Sequence, residues 1–111
     1  MKKCVFVGLF MFLPLFAIAE AVWIDVRTAE ENKKNSIAGD ALIPHKEIVP
    51  GVEALFSDKN KEIILYCRSG RRAGVAMKAL QEAGYTNVSN AGGISDAKKV
   101  RKIDSCNKET C

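Results

Sequence analysis

The sequence predicts an α/β domain in which a small parallel sheet lies between layers of helices. Short apolar, β-branched runs alternate along the chain with segments whose apolar residues have helical spacing. The strongest run, residues 62–66, is apolar after its first residue, as is typical of a strand buried on both faces of a parallel sheet. At 111 residues, the chain is long enough for one domain.

Residues 1–19 have the pattern of a secretory signal peptide. A positive start precedes an apolar run to Ile18, and Ala17 and Ala19 are the small residues expected before a cleavage site. The run is shorter than the ~20 apolar residues that span a bilayer. We therefore expect cleavage after Ala19, a mature domain over residues 20–111 in the periplasm, and no membrane attachment afterwards.

The mature domain would carry 15 basic and 13 acidic residues, a net charge of +2. This charge is too mild to indicate nucleic acid or a membrane surface as a partner. No group of residues has the spacing of zinc ligands, and no Gly-rich nucleotide loop is present, so we expect neither a metal nor a cofactor. The small domain shows no obvious apolar surface stripe, which suggests a monomer.

Four strands are predicted where short runs are rich in apolar and β-branched residues. They are residues 22–26, 41–43, 62–66 and 85–88. Pro44 ends the second strand, and a polar loop over residues 57–60 precedes the third. Residues 91–93, Ala-Gly-Gly, predict a tight turn after the fourth strand.

Four helical segments are predicted between and after these strands. They are a turn over residues 28–31, ahead of a polar stretch, a helix over residues 46–56, a helix between Gly70 and Gly84, and a helix over residues 94–104. Thr28 and Glu31 have the spacing of a capping box. A Pro-Gly pair could split the second segment. In the third, apolar residues recur at helical spacing over residues 75–83, and Gly84 is a natural stop.

Cys67 is the candidate nucleophile, because it lies where the strongest strand ends and a short loop leads into a helix. Sites in parallel sheets lie beyond the carboxyl ends of the strands. Loop N–H groups and the helix dipole would lower the thiol pKa from ~8.5 toward neutrality, and Arg68, Arg71 and Arg72 add positive charge. Gly70 lets the loop turn tightly. A buried cysteine is often only a small apolar residue, but three arginines in the following loop are not core-like.

Three segments resemble rhodaneses, the thiosulfate sulfurtransferases. Cys67-Arg68-Ser69-Gly70-Arg71-Arg72 resembles their active-site loop. Residues 23–27, Trp-Ile-Asp-Val-Arg, resemble the family's opening strand, and residues 88–94 resemble its late strand and double-glycine turn. The resemblance covers residues 21–97 and implies a rhodanese-like three-layer sandwich with a small central parallel sheet flanked by helices.

The sequence departs from the family in two places. The usual Gly-His-Ile-x-Gly-Ala is replaced by Asn-Ser-Ile-Ala-Gly-Asp over residues 35–40, and Ala97 stands where an aromatic residue is often found. Both positions look structural, so we do not expect them to remove activity, but they weaken any inference about substrate preference.

The resemblance implies a double displacement through Cys67. The thiolate would take the outer sulfur of thiosulfate or a related small anionic donor, and the resulting persulfide would pass it to a thiophilic acceptor, cyanide or a thiol. The residues expected to bind substrate are Arg68, Ser69, Gly70, Arg71 and Arg72. Arg72 is expected to orient the anion, because a guanidinium can grip two oxygens. Asp25 and Arg27 are expected to support the site as an ion pair.

The mature chain would keep three cysteines, an odd number that suggests one free thiol. Cys106 and Cys111 could form a disulfide in an oxidising compartment, or both could stay unpaired. Cys67 is free in either case.

Two alternatives to a sulfurtransferase stay open. One is a rhodanese-like binding module without turnover. The other is a cysteine-dependent phosphatase or arsenate reductase, whose loop has five residues between cysteine and arginine. Here Arg72 follows Cys67 after four residues and the five-spacer position is Ala73, so this class is disfavoured. A Cys-His protease is disfavoured too, because the sole histidine, His45, reads as a surface loop residue.

Overall fold

A computed structural model describes residues 20–103. These residues form a four-stranded sheet in which every neighbouring pair of strands is parallel, in the order β2-β1-β3-β4. The strands are β1 Val22–Asp25, β2 Ala41–Leu42, β3 Ile63–Cys67 and β4 Val88–Gly93. The predicted α/β fold is confirmed. The predicted signal peptide, Cys106 and Cys111 lie outside the described residues.

Helices cover both faces of the sheet. They are α1 Ala29–Lys34, α2 Ile48–Leu55, α3 Arg71–Glu82 and α4 Ile94–Val100, with a short 3-10 helix at His45–Glu47 before α2. Side chains of a strand alternate between faces. Ile24 and Leu65 accordingly pack in one buried cluster with α2 and α3, whereas Tyr66 packs in a second cluster with α4.

A polar network holds the α4 face in place. The Tyr66 hydroxyl donates a hydrogen bond of 2.8 Å to Asp40, and Arg101 donates two more to the same carboxylate. The Arg101 guanidinium also lies 4.3 Å from the centre of the Trp23 ring. The segment after α4 is thereby tied to β1, β3 and the turn before β2.

The helix boundaries differ from the predicted ones. The second helix begins at Ile48 because the preceding residues form the 3-10 helix, and Pro50 does not split it. Pro50 lies in the first turn, where its missing N–H would have no helical partner in any case. The first helix extends into the predicted polar stretch, to Lys34, and the last ends at Val100. Val75, predicted on the apolar side of α3, is 56 % exposed.

The fourth strand is the clearest error. A strand over residues 85–88 and a turn over 91–93 were expected, but β4 spans Val88–Gly93. Tyr85 is buried in the core below α3, where its hydroxyl donates to the carbonyl of Phe56 at 2.6 Å. Pairing with β3 thus overrides the weak strand propensity of the segment Ser-Asn-Ala-Gly-Gly.

The predicted turn is instead a bulge in β4. Leu65 pairs with Asn90 and Cys67 pairs with Gly93, so β4 has one residue more than β3 between these pairs. The bulge brings Gly93 against the loop that follows Cys67, and a Cβ atom on Gly93 would collide with the carbonyl oxygen of Arg68. Only glycine lets the two segments approach so closely.

No helix within residues 20–103 combines the length and the apolar character needed to cross a membrane.

Alanine substitutions at two glycines should have opposite effects. We expect Gly93→Ala to lower the free energy of unfolding by about 1–3 kcal/mol, the usual cost of overpacking. Gly74→Ala should raise it by roughly 0.5–1 kcal/mol, because Gly74 lies inside α3 and its Cβ would meet only Asn90 at 3.4 Å. Urea unfolding of both variants measures this, and an unchanged stability for Gly93→Ala would show that the loop and the bulge are not tightly packed.

Candidate active site

Cys67 is the last residue of β3, and its side chain lies at the base of the loop that joins β3 to α3. The residue is 1 % exposed and is a free cysteine. The N–H of Gly70 donates to its Sγ atom at 2.9 Å. Gly70 has a φ angle of 96°, in the left-handed region that favours glycine, and this turn returns the chain over the sulfur.

The thiol of Cys67 has opposing influences on its pKa. Burial raises the pKa, and it is the largest single influence. The backbone N–H groups of Ala73, Ser69, Gly70 and Arg72 act in the opposite direction and together outweigh it, so the pKa is lower than that of an ordinary cysteine. These amides belong to the loop and to the first turn of α3, where the helix dipole also favours a negative charge.

Asn90 connects the loop to the bulge of β4. Its side-chain nitrogen donates to the carbonyl of Gly70 at 2.8 Å, and its side-chain oxygen accepts from the N–H of Gly92 at 2.8 Å. Sequence reasoning missed Asn90. Its position just before the double glycine was a signal, because an Asn side chain readily bonds to the backbone two residues on.

Asp25 and Arg27 form a buried ion pair at the end of β1, beside β3. Both side chains are almost fully buried, and the carboxylate accepts from Nε and a terminal nitrogen of Arg27 at 2.9 and 2.8 Å. Asn32 donates to the same carboxylate, and Arg27 donates to the carbonyl of Asn35. The pair therefore joins the end of β1 to α1 and to the segment after it.

The arginines of the loop have different surroundings. Arg68 and Arg71 are exposed, and among residues 20–103 neither takes part in a salt bridge. Arg72, which was expected to orient the substrate anion, is half-buried and donates from both terminal nitrogens to Glu31, at 2.8 and 2.9 Å. Ser69 is exposed, and its N–H is one of the amides that favour the thiolate.

His45 lies closer to the site than its sequence position suggested. It begins the 3-10 helix, which packs against α3, and it is half-buried rather than in a surface loop. Burial lowers the pKa of its imidazole, and the positive charges of Arg72, Lys46 and Arg71 lower it further. Both influences favour the neutral form of the imidazole.

A cavity of about 300 Å³ lies beside the loop, at the carboxyl ends of the strands. Its lining residues are Arg27, Glu31, Lys34, Asn35, Arg68 and Ile94. Among the described residues, no group of three or more His, Cys, Asp or Glu side chains could hold a metal ion. The arrangement offers an activated thiol, a ring of N–H donors and a basic rim, which suits nucleophilic attack on an anionic substrate.

Comparison with known proteins identifies the family. The family model described as a Rhodanese-like domain matches residues 15–99. The chain belongs to the rhodanese-like family.

Two relatives of the chain are sulfurtransferases by name. The chain is 39 % identical over 95 residues to the thiosulfate sulfurtransferase PspE of Escherichia coli, covering 86 % of this chain and 89 % of the relative. It is 37 % identical over 75 residues to the putative sulfurtransferase YtwF of Bacillus subtilis, covering 68 % and 71 %. These relatives and the family membership support sulfurtransferase activity in general.

A solved structure of an E. coli rhodanese with anions has a similar fold. It superimposes with a TM-score of 0.63 at 41 % sequence identity, covering 69 % of this chain and 91 % of that chain. The rhodanese-like architecture expected from the sequence is thereby confirmed. Ala97, where the family often has an aromatic residue, is fully buried against Tyr66 in the α4 cluster, so this departure concerns packing.

The rhodanese-like site predicts a pH-dependent contribution of Cys67 to stability. The folded pKa of the thiol is lower than the unfolded one, so the folded state binds fewer protons between the two values. The contribution is therefore complete above the unfolded pKa and is lost as the pH falls through the folded pKa. The difference in free energy of unfolding between parent and Cys67→Ser should rise with pH across that window in urea titrations, and a flat difference would contradict a lowered pKa.

Asn90→Ala should loosen the rhodanese-like loop. Two hydrogen bonds are lost, each worth ~1 kcal/mol. The Gly70 amide should then hold the thiolate less well and the pKa of Cys67 should rise, as measured by the pH dependence of iodoacetamide alkylation at Cys67. Ser89→Ala is the control, because Ser89 is an exposed neighbour on the same strand. Equal alkylation profiles for Asn90→Ala and parent would show that Asn90 does not support the loop.

Proposed function

We propose that this protein is a thiosulfate sulfurtransferase that carries sulfane sulfur as a Cys67 persulfide. The observation that carries the proposal is the Sγ atom of Cys67, which accepts the Gly70 N–H at 2.9 Å within a loop whose amides lower the thiol pKa. A thiolate is the nucleophilic form of cysteine, so a loop that lowers the thiol pKa increases the fraction of the attacking species.

The first half-reaction loads the sulfur. The Cys67 thiolate attacks the outer sulfur of thiosulfate and forms a new S–S bond. The S–S bond of thiosulfate breaks, and its electron pair leaves on sulfite. The negative charge then lies on the terminal sulfur of the persulfide, which the N–H groups that favour the thiolate are suited to stabilise.

The second half-reaction removes the sulfur. Cyanide or a thiolate attacks the terminal sulfur of the persulfide, forming thiocyanate or a new persulfide, and the electron pair of the broken S–S bond returns to Cys67 as a thiolate. No proton has to be transferred when cyanide is the acceptor, so the cycle needs no general base. This agrees with a loop whose other members are backbone amides, arginines and Ser69.

A rhodanese-like binding module without turnover is the second candidate. The free, activated thiol argues against it, because a binder needs a shaped surface but not a low thiol pKa. A phosphatase or arsenate reductase is disfavoured by the four residues between Cys67 and Arg72, and also by the engagement of Arg72 with Glu31.

The proposed setting is the periplasm, with the protein acting as a monomer on small diffusing substrates. The signal-peptide pattern of residues 1–19 and the cleavage expected after Ala19 support this setting. The small cavity and the nearly complete burial of Cys67 favour a small donor and a small acceptor.

Thiocyanate formation from thiosulfate and cyanide tests the proposal. The parent should be active, and Cys67→Ser should lose activity to the uncatalysed level, because a hydroxyl cannot form a persulfide. Thiosulfate alone should add about 32 Da to the parent and nothing to Cys67→Ser, since one sulfur atom stays on the thiol.

The double variant Cys106→Ser, Cys111→Ser is the control for thiol content and should keep the activity and the added mass. A folded, reduced parent that forms no thiocyanate and gains no mass would exclude the thiosulfate reaction. Added mass without thiocyanate would point to a persulfide carrier that uses another acceptor.

A further inference from the structure

We propose that Glu31 is a positioning residue that keeps the guanidinium of Arg72 away from anionic donors and so sets how strongly the site attracts anions. The inference rests on the proposed function for its meaning in catalysis. With Arg72 held by Glu31, the oxyanion of the donor is recognised by the other cations of the loop.

The contact between Glu31 and Arg72 occupies the atoms that would grip an oxyanion. The two terminal nitrogens of Arg72 donate to the two carboxylate oxygens of Glu31 at 2.8 and 2.9 Å. This bidentate arrangement is the one in which a guanidinium binds any planar or tetrahedral oxyanion. The carboxylate thus holds the place that a donor such as thiosulfate would otherwise take on Arg72.

A second set of hydrogen bonds fixes the carboxylate from the other side. Glu31 completes a capping box at the start of α1, where its Oε1 atom accepts from the backbone N–H and the hydroxyl of Thr28 at 3.0 and 3.1 Å. The N–H of Glu31 in turn donates to that hydroxyl at 3.2 Å. These bonds hold the carboxylate of Glu31 in place independently of Arg72. A typical surface ion pair, in contrast, loses side-chain freedom when it forms.

Arg72 lies within electrostatic reach of the nucleophile. Its pKa is raised, first by the hydrogen bonds to Glu31 and, among the smaller influences, by the negative charge of Cys67. The bond from Arg72, followed by that from Thr28, holds the pKa of Glu31 far below its ordinary value, so the carboxylate stays charged throughout the neutral range. Glu31 consequently offsets one positive charge beside the thiolate at every working pH.

The remaining cations of the loop have no such partner. Arg68 and Arg71 are exposed and make no salt bridge within residues 20–103, and Arg68 lines the cavity beside the loop together with Lys34. The positive charge available to a small anion therefore lies on the rim. In the part of the chain that the structure describes, two of these three arginines make no salt bridge, and the third is held by α1.

Glu31→Gln separates the role of this side chain as a helix cap from its role as the charged partner of Arg72. Glutamine is also found at this position of capping boxes, so α1 keeps its cap. It carries no charge, however, and can offer only one carbonyl oxygen to the Arg72 fork. The control is Glu30→Gln, which removes an equal charge from the preceding, exposed residue of α1.

The readout compares two alkylating reagents of similar size, iodoacetate and iodoacetamide, by following modification of Cys67 with peptide mass spectrometry. The rate with iodoacetate divided by the rate with iodoacetamide cancels changes in access to Cys67. This ratio therefore reports how strongly the site attracts an anion. We expect the ratio to rise roughly fivefold in Glu31→Gln, as for one unit charge at intermediate range, and to change less than about twofold in Glu30→Gln. The KM for thiosulfate should fall by a similar factor with little change in kcat.

Three outcomes would overturn the inference. The first is an unchanged or lower ratio in Glu31→Gln with native circular dichroism. The second is an equal rise in Glu30→Gln, which would indicate a general effect of net charge. The third is a rise that persists in full in Glu31→Gln, Arg72→Gln, because the gain must depend on the released arginine.

If Glu31→Gln does not fold, Glu31→Asp provides the same test, because it keeps the charge in the first turn of α1 but withdraws the carboxylate from Arg72. A smaller rise in the ratio would support the inference, and no rise would refute it. Alkylation does not require turnover. A parent that makes no thiocyanate would thus refute the proposed function, whereas the alkylation ratios decide the role of Glu31 separately.

Discussion

The close contact between the loop after β3 and the bulge in β4 is the constraint on which the rest of the site depends. Gly93 lies directly against the carbonyl of Arg68, and Asn90 binds the carbonyl of Gly70. With the loop held there, the Gly70 N–H points at Cys67 and the amides of the first turn of α3 converge on the same sulfur. The lowered pKa of the Cys67 thiol thus depends on the register between β3 and β4, because the extra residue of β4 makes the contact possible.

The loop after β3 has a second support on the side away from β4, where polar groups are buried at the end of β1. The Asp25–Arg27 pair is costly to remove from water, but its charges are paired, and further hydrogen bonds join it to Asn32 and to the carbonyl of Asn35. Asn32 belongs to α1, and the same helix supplies Glu31 to Arg72. The sheet and α1 therefore hold the two ends of the reactive segment, its cysteine and the start of its helix.

Much of this arrangement could be predicted from local patterns. The run of apolar residues in β3, the Arg- and Gly-containing loop and the periodic helix place Cys67 at the carboxyl edge of the sheet, and the Thr28–Glu31 spacing predicts the start of α1. The position of β4 could not be predicted, because Ser-Asn-Ala-Gly-Gly forms a strand only through its pairing with β3. The partner of Arg72 was also beyond sequence reasoning, since Glu31 lies 41 residues away and two acidic residues of α1 were equally plausible.

The burial of Cys67 also bears on the oxidation chemistry of the protein. A thiolate at the surface of a protein would exchange with other protein thiols and disulfides, because that reaction needs only a nucleophile and an approach path. Here the sulfur lies at the base of a loop and the residue is 1 % exposed, so a cysteine carried on another folded protein cannot align with it. Under the proposed function, the backbone that activates the thiol therefore also favours small sulfur compounds over the cysteines of other folded proteins.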